Sequence, residues 1–433
     1  MLILYRLIIN VVCLFAPIIL RIRIYKQKED ENRYKEKLCI IKKKKPQGKL
    51  IWFHAASVGE LLSILPLLEK LEKIKEIKSI LLTTNTLSSS KVFEKKIKSK
   101  KIIHQFFPFD KDIFTKKFLS HWHPDLVIFV ESEIWPNFIL NIKNRKIPLI
   151  LLNARITNKT YLRWKKIPSF AKSIFDSFDI CLPQNKETEK YLTNFGVKKI
   201  KNFGNLKFSS PVSLPSDKLN KNILKMFHYK KIWCASSTHI GEEIFCGKTH
   251  IELKKRLKNV ILIIIPRHVH RVNEIVKELN KMNLKIHLHT NKSKFNSDID
   301  IYLVDTFGET QKFFNISKSV FLGGSLINHG GQNPIEAARM GCKIYHGPYI
   351  DNFTEVYSYL NYHKISKKIN NISSLKGFLL KDLRAKENMG KKLEKQIYFL
   401  GQSILENIYL EIKKFTPIWH LLIFQKKLIL LTI

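Results

Sequence analysis

The chain has 433 residues, 45% hydrophobic and 11% aromatic, with 76 Lys and Arg against 36 Asp and Glu, a formal charge of +40. The length suits two domains with a core each, and the apolar content excludes intrinsic disorder. The positive excess has two readings: a nucleic-acid surface with cations dense enough to neutralise phosphate, or a compositional drift toward Lys, Ile, Asn and Phe.

Lysine runs such as Lys42–Lys45 and Lys95–Lys101 carry no interleaved aromatics or glycines, and the charge is spread along the chain. This favours solvated faces over a nucleic-acid arm, so no nucleic-acid partner is expected. A cationic surface suits an anionic membrane leaflet. The six cysteines (Cys13, Cys39, Cys181, Cys234, Cys246 and Cys342) form no CxxC pair and have no histidine at zinc-ligand spacing. They read as buried thiols in a reducing compartment, and no metal site is expected.

In chain order, Leu2–Leu20 is nearly all apolar, interrupted by Arg6, Asn10 and Pro17 and succeeded by Arg21, Arg23, Lys26 and Lys28. No small-residue cleavage site is clear, so the segment reads as a membrane anchor over residues 1–22. A signal-anchor, an interfacial helix and a helix docked on the body all fit its length. The flanking cations place the rest of the chain on the cytoplasmic side.

From residue 49 short apolar runs alternate with helical patterns. Leu50–His54, Ser79–Thr83, Leu126–Val130, Leu149–Leu152 and Ile180–Leu182 read as buried strands, with Leu61–Lys73 as a helix after the first. Ser209–Pro215 reads as a linker. A second alternating set comes at Lys231–Ala235, Val260–Ile265, Ile301–Val304, Ser319–Leu322 and Lys343–Tyr345. The fold class is therefore α/β: two doubly wound Rossmann-like domains facing a cleft, over residues 23–212 and 213–410. The apolar tail, residues 411–433, has no assigned role.

In open parallel sheets ligands bind beyond the carboxyl ends of the strands. Here nearly every strand ends in a polar cluster. Glu60 comes after Gly59 in the first turn of a helix, where it is either a dipole-complementing cap or a general base. Glu131 and Glu133 flank Ser132 just after a strand, and one of the two must face inward, where it needs a cationic or hydroxyl partner. Trp135-Pro136 reads as a rigid wall. Lys207 comes after the turn Gly204-Asn205, beside the linker. Arg267 and His268 close an aliphatic run and suit an anion. The richest segment is Gly323-Gly324-Ser325 through Gly330-Gly331-Gln332-Asn333-Pro334-Ile335-Glu336, a Gly-rich loop leading into a helix start. Free backbone N–H groups there suit phosphate, and Glu336 could accept two ribose hydroxyls. Neither a Walker loop nor GxGxxG is present, which disfavours kinases and dehydrogenases.

These segments together resemble the bacterial 3-deoxy-D-manno-octulosonic acid (Kdo) transferases of lipid A–core assembly. The resemblance spans roughly residues 1 to 400 and rests on HAASVGE at 54–60, ESEIWPN at 131–137, NARIT at 153–157, GNLKF at 204–208, ASSTHIGEE at 235–243, PRH at 266–268, DTFGE at 305–309 and GGSLINHGGQNPIEAA at 323–338. It implies a B-type glycosyltransferase fold at the bacterial inner membrane, CMP-Kdo as donor substrate with no further cofactor, and lipid IVA as acceptor. It implies inversion without a metal ion. By the same resemblance Glu60 is the general base and Glu131 and Lys207 stabilise the transition state. Arg267, His268, Phe307, Gly308, Glu309, Asn333, Pro334, Ile335 and Glu336 bind CMP. Gln332 and Phe307 depart from the family pattern, where a histidine and a smaller apolar residue are usual. The rival readings, another nucleotide-sugar enzyme or a basic nucleic-acid binder, give no reason to keep Glu60, Glu131 and Lys207 together.

Overall fold

The computed structural model describes residues 1–210, 219–291, 298–385 and 389–416. Two compact units divide the chain: Met1–Ser210 together with the chain from Gly401, and Pro211–Leu400.

The first unit is built on a parallel sheet of β1 (Lys49–His54), β2 (Ile77–Thr84), β3 (Ile102–Phe106), β4 (Leu126–Val130), β5 (Leu149–Ala154) and β6 (Ile180–Pro183), in the order β3-β2-β1-β4-β5-β6. The second carries β7 (Lys231–Thr238), β8 (Val260–Pro266), β9 (Ile286–Leu288), β10 (Ile301–Leu303), β11 (Ser319–Leu322), β12 (Lys343–His346) and β13 (Ser366–Lys368), in the order β13-β12-β11-β7-β8-β10-β9. All pairings in both sheets are parallel, which is the doubly wound architecture expected from the sequence. Central strands read as unbroken apolar runs because helices cover both faces; every residue of β4 and β8 is buried. The sequence reading missed β3, whose IIHQF interrupts the run with two polar residues, and the three-residue β9 and β13.

Trp52 centres the first core, with Phe107, Phe118, Phe129 and Phe138 at ring-centroid distances of 4.8 to 6.2 Å. Its indole N–H donates to Thr83 Oγ1 at 2.9 Å, so no polar atom of the ring is stranded. Trp233, Leu262, Ile264, Phe321 and Tyr345 anchor the second core. Each such side chain contributes roughly 1.5–3 kcal/mol by leaving water. All six cysteines are buried and unpaired.

Helix α1 (Leu2–Tyr25) is long and apolar enough to cross a membrane by length and composition. It packs on the first unit through Cys13, Ala16 and Leu20. The second unit ends at Leu400, ten residues before the boundary expected from the sequence. The last described helix, Met389–Lys413, runs unbroken through that point, so its periodicity carries no boundary signal. From Gly401 onward it packs in the first unit. A Cβ at Gly401 would stand 2.3 Å from the Phe208 carbonyl oxygen, Ile404 covers Gly204, and Glu406 and Glu411 pair with Lys70 and Lys201. Most of the expected linker, Pro211–Pro215, and the apolar tail from Pro417 lie outside the described residues.

Candidate active-site residues in each unit

In the first sheet the strand order reverses between β1 and β4, which opens a crevice at their carboxyl ends. Glu60 lies just beyond β1 and Glu131 just beyond β4. Ser57 caps helix α2 (Val58–Glu72), its hydroxyl accepting the Glu60 N–H at 3.3 Å. The Glu60 carboxylate turns back on the same cap, accepting the Ala56 N–H at 2.7 Å and the Ser57 hydroxyl at 2.9 Å. The capping role is therefore real. Burial and then the carboxylates of Glu133 and Glu131 push the Glu60 carboxyl up to about 7. A carboxyl that releases its proton near neutrality is also suited to act as a base.

Glu131 takes a left-handed backbone, φ +58°, which is costly for a side chain with a Cβ and is tolerated where surroundings enforce it. Where the sequence required one of the pair to face inward, both Glu131 and Glu133 do, their side chains 8% and 14% exposed. Glu131 forms an ion pair with Lys207 at 2.6 Å. The loop carrying Lys207 is pinned by two asparagines. Asn153, itself left-handed at a register break in β5, accepts the Leu206 N–H at 2.9 Å, and Asn205 accepts the Lys207 N–H at 2.9 Å.

Glu133 accepts from His54 Nε2 at 3.0 Å and from Trp135 Nε1 at 2.8 Å. Burial pushes its carboxyl up, but the His54 hydrogen bond and charge prevail and hold it below the usual range. His54 is fully buried and stacks on Phe107 at 3.7 Å. Trp135, read as a wall, is also a donor. His54 heads the HAASVGE segment, yet nothing in one sequence links residues 54 and 133.

In the second sheet the reversal falls between β7 and β11, with Ser236–His239 and Gly323–Ser325 at their ends. The N–H groups of Gly324, Ser325 and Leu326 are not free: all three, with that of His239, donate to the buried carboxylate of Glu242 at 2.7 to 3.1 Å. Gly323 is obligatory at this crossing, because a Cβ would stand 2.4 Å from the Ser237 carbonyl and 2.6 Å from the Glu242 carboxylate. Glu242→Ala takes the acceptor from four N–H groups, three of them in buried hydrogen bonds, and is expected to cost at least ~3 kcal/mol, read as a lower urea midpoint.

Side chains, not those amides, converge on the loop. His239 Nε2, the His329 ring and Gln332 Nε2 all lie within 3.4 Å of the point where a Gly324 Cβ would sit. His239 packs tilted against His329 at 4.4 Å and meets the His268 ring edge-on at 5.9 Å. Its Nε2 is buried with no hydrogen-bond partner. Burial, then His329, His268, Arg267 and Arg271, pull the His239 ring down to about 4, so it is neutral at pH 7. Its place in ASSTHIGEE, just after β7, was its only local signal.

The other expected residues are spread over several loops. Arg267 and His268 are exposed beyond β8, with the Arg267 N–H tied to the Thr238 carbonyl at 3.0 Å. Phe307 is 85% exposed, Gly308 is left-handed at φ +90°, and Glu309 pairs with Lys312 at 2.8 Å. Asn333 accepts the Ile335 N–H at 3.1 Å. Pro334 and Ile335 are buried, and Glu336 is exposed in the first turn of Ile335–Arg339.

Residues 32–210 match the family model for 3-deoxy-D-manno-octulosonic-acid transferase (kdotransferase). The chain is 33% identical over 410 residues to the 3-deoxy-D-manno-octulosonic acid transferase of Rickettsia bellii, covering 92% of this chain and 96% of that one. It is 30% identical over 321 residues to that of Haemophilus influenzae, covering 73% and 74%. Among solved structures it is similar to a putative UDP-N-acetylglucosamine 2-epimerase from Listeria monocytogenes (TM-score 0.60, 14% identity, 85% of this chain and 97% of that one). A glycosyltransferase from Rickettsia africae is also similar (TM-score 0.55, 12% identity, 85% and 98%). At such identities these structures speak for the fold alone, two Rossmann-like units as in B-type glycosyltransferases. The sequence relationship goes further: this chain belongs to the 3-deoxy-D-manno-octulosonic acid transferase family and is a glycosyltransferase.

Proposed function

We propose that the protein transfers Kdo from CMP-Kdo to a hydroxyl of a lipid A precursor, lipid IVA, at the cytoplasmic face of a bacterial inner membrane. The observation that carries this reading is the group of acids at the reversal point of the first sheet: Glu60, its proton held up to about 7, with Glu131 paired to Lys207. Glu60 removes the proton of the acceptor hydroxyl. The freed oxygen attacks the anomeric carbon from the face opposite the nucleotide, and the bond from that carbon to the cytidylate oxygen breaks. Configuration inverts, the proton remains on Glu60, and CMP leaves with the bonding pair.

Charge grows on the departing phosphate. With the loop amides committed to Glu242, the groups for it are side chains: Arg267, His268 and the unpartnered Nε2 of His239. Glu336, in an exposed first turn, serves the ribose hydroxyls. Lys207 balances Glu131 and stabilises charge as the bond breaks.

The test is a transfer assay with CMP-Kdo and tetraacylated lipid A precursor in detergent, counting the sugars on the product. Kdo-bearing lipid is expected from the wild type. A folded protein that binds CMP yet makes no product would defeat this pairing of donor and acceptor.

A further inference from the structure

We infer that α1 lies in the plane of the membrane, half-sunk in one leaflet, and does not cross the bilayer. The inference rests on the proposed membrane location and not on the donor or acceptor.

Both ends of the helix are tied to the globular unit by polar contacts. Near its start, the Tyr5 hydroxyl donates to Asp110 at 2.7 Å, and Arg6 donates to Asn137 at 2.9 Å and to Asp112 at 2.8 Å. At its end Arg23 donates to Glu29 at 3.0 Å. Glu29 is 3% exposed and also holds Lys37, whose ammonium reaches the Asn85 carbonyl at 2.8 Å. Residues 6 and 23 stand about 26 Å apart along a helix axis, close to the roughly 30 Å of a hydrocarbon core. A spanning helix holding both sets of contacts would drag Asp112, Glu29 and Lys37 through the lipid. Each such charge costs about 2.5–3.5 kcal/mol or more there. Breaking the contacts instead would take the Tyr5 donor from the buried Asp110, leaving it the Asn137 and Phe138 N–H groups at 2.9 Å.

The two faces of α1 agree with a flat placement. Arg6, Cys13, Ala16 and Leu20 share the face toward the unit. Ile3, Leu7, Val11, Leu14, Ile18 and Ile22, 50% to 76% exposed, keep helical spacing about half a turn away. This apolar stripe runs the length of the helix. Exposed Arg21, Lys26 and Lys28 sit at one end, where anionic headgroups would meet them. The occupant of the stripe is thus the acyl–headgroup boundary of an anionic leaflet.

The tether also reaches the site. Asp110 joins α1 to the first turn of helix Pro136–Asn144, which comes directly after the segment of Glu131, Glu133 and Trp135. The leaflet is therefore held at a set position relative to those residues.

The full-length chain, with one epitope tag before Met1 and a second in an exposed loop of the first unit, is expressed in a Gram-negative host. Protease is then applied to spheroplasts and to inverted inner-membrane vesicles. Both tags are expected to be protected in spheroplasts and cut together in inverted vesicles. Cleavage of the two tags from opposite sides would overturn the inference, as would recovery of the chain in the soluble fraction. As a second readout, purified protein is added to preformed phosphatidylcholine vesicles with and without phosphatidylglycerol. Flotation with the anionic vesicles is expected, and its loss in Leu14→Glu/Ile18→Glu with CMP binding unchanged. Flotation of that variant equal to wild type would show that the stripe is not the contact.

Discussion

Glu60→Gln is expected to lower transfer by 10²- to 10⁴-fold, the usual contribution of a general base, with CMP affinity unchanged. The proposed base belongs to the first unit and the proposed nucleotide side chains to the second, so the two effects separate in a turnover assay run beside equilibrium CMP binding. A fall in CMP affinity would sink the division of roles. The wild-type rate should climb as pH rises through about 7, because only the ionised carboxylate accepts a proton. Stability runs the other way. The folded-state value lies above the ordinary 4.5, so the folded protein holds this proton more tightly than the unfolded chain. The stability so gained is complete below about 4.5 and is lost as pH rises through about 7. The ionisation that activates the base therefore costs the fold, and Glu60→Gln should flatten both profiles.

Lys207→Ala is expected to cost both stability and rate. It leaves Glu131 buried without its cation, a penalty of about 2–3 kcal/mol once the partial exposure of the lysine is allowed for. Transfer should fall about 10²- to 10³-fold, the typical loss when one charge-stabilising group is removed. A double variant separates the two effects. Glu131→Gln/Lys207→Met removes both charges and should recover most of the urea midpoint while remaining inactive. Recovered activity in the double variant would make the pair a packing feature and remove it from the chemistry.

The architecture was legible because its strands are buried on both faces. Runs such as Leu126–Val130 and Val260–Ile265 announce themselves without alternation, and each leads into turn-forming polar residues. For the same reason Glu60, Glu131 and Lys207 stood out. What the sequence could not show is where a side chain spends its hydrogen bonds. Glu242 satisfies amides 82 to 84 residues away, and His54 meets Glu133 across 79 residues, so neither pairing leaves a local pattern. The start of the Gly-rich loop shows the same: the Gly324, Ser325 and Leu326 amides are well placed for an anion, and the protein supplies one of its own. The boundary at Leu400 was hidden because a helix that passes from one unit to the other keeps its period.

The burial of every thiol has a practical corollary. Cys13 sits on the face of α1 that touches the unit, and no other native cysteine is exposed to compete with it. Its rate of alkylation therefore counts the moments at which the helix lifts away, an opening free energy measured without introducing a probe. Bound vesicles should slow that reaction if lipid and protein clamp the helix from opposite sides. The molecule thus contains its own clock for how firmly it is seated.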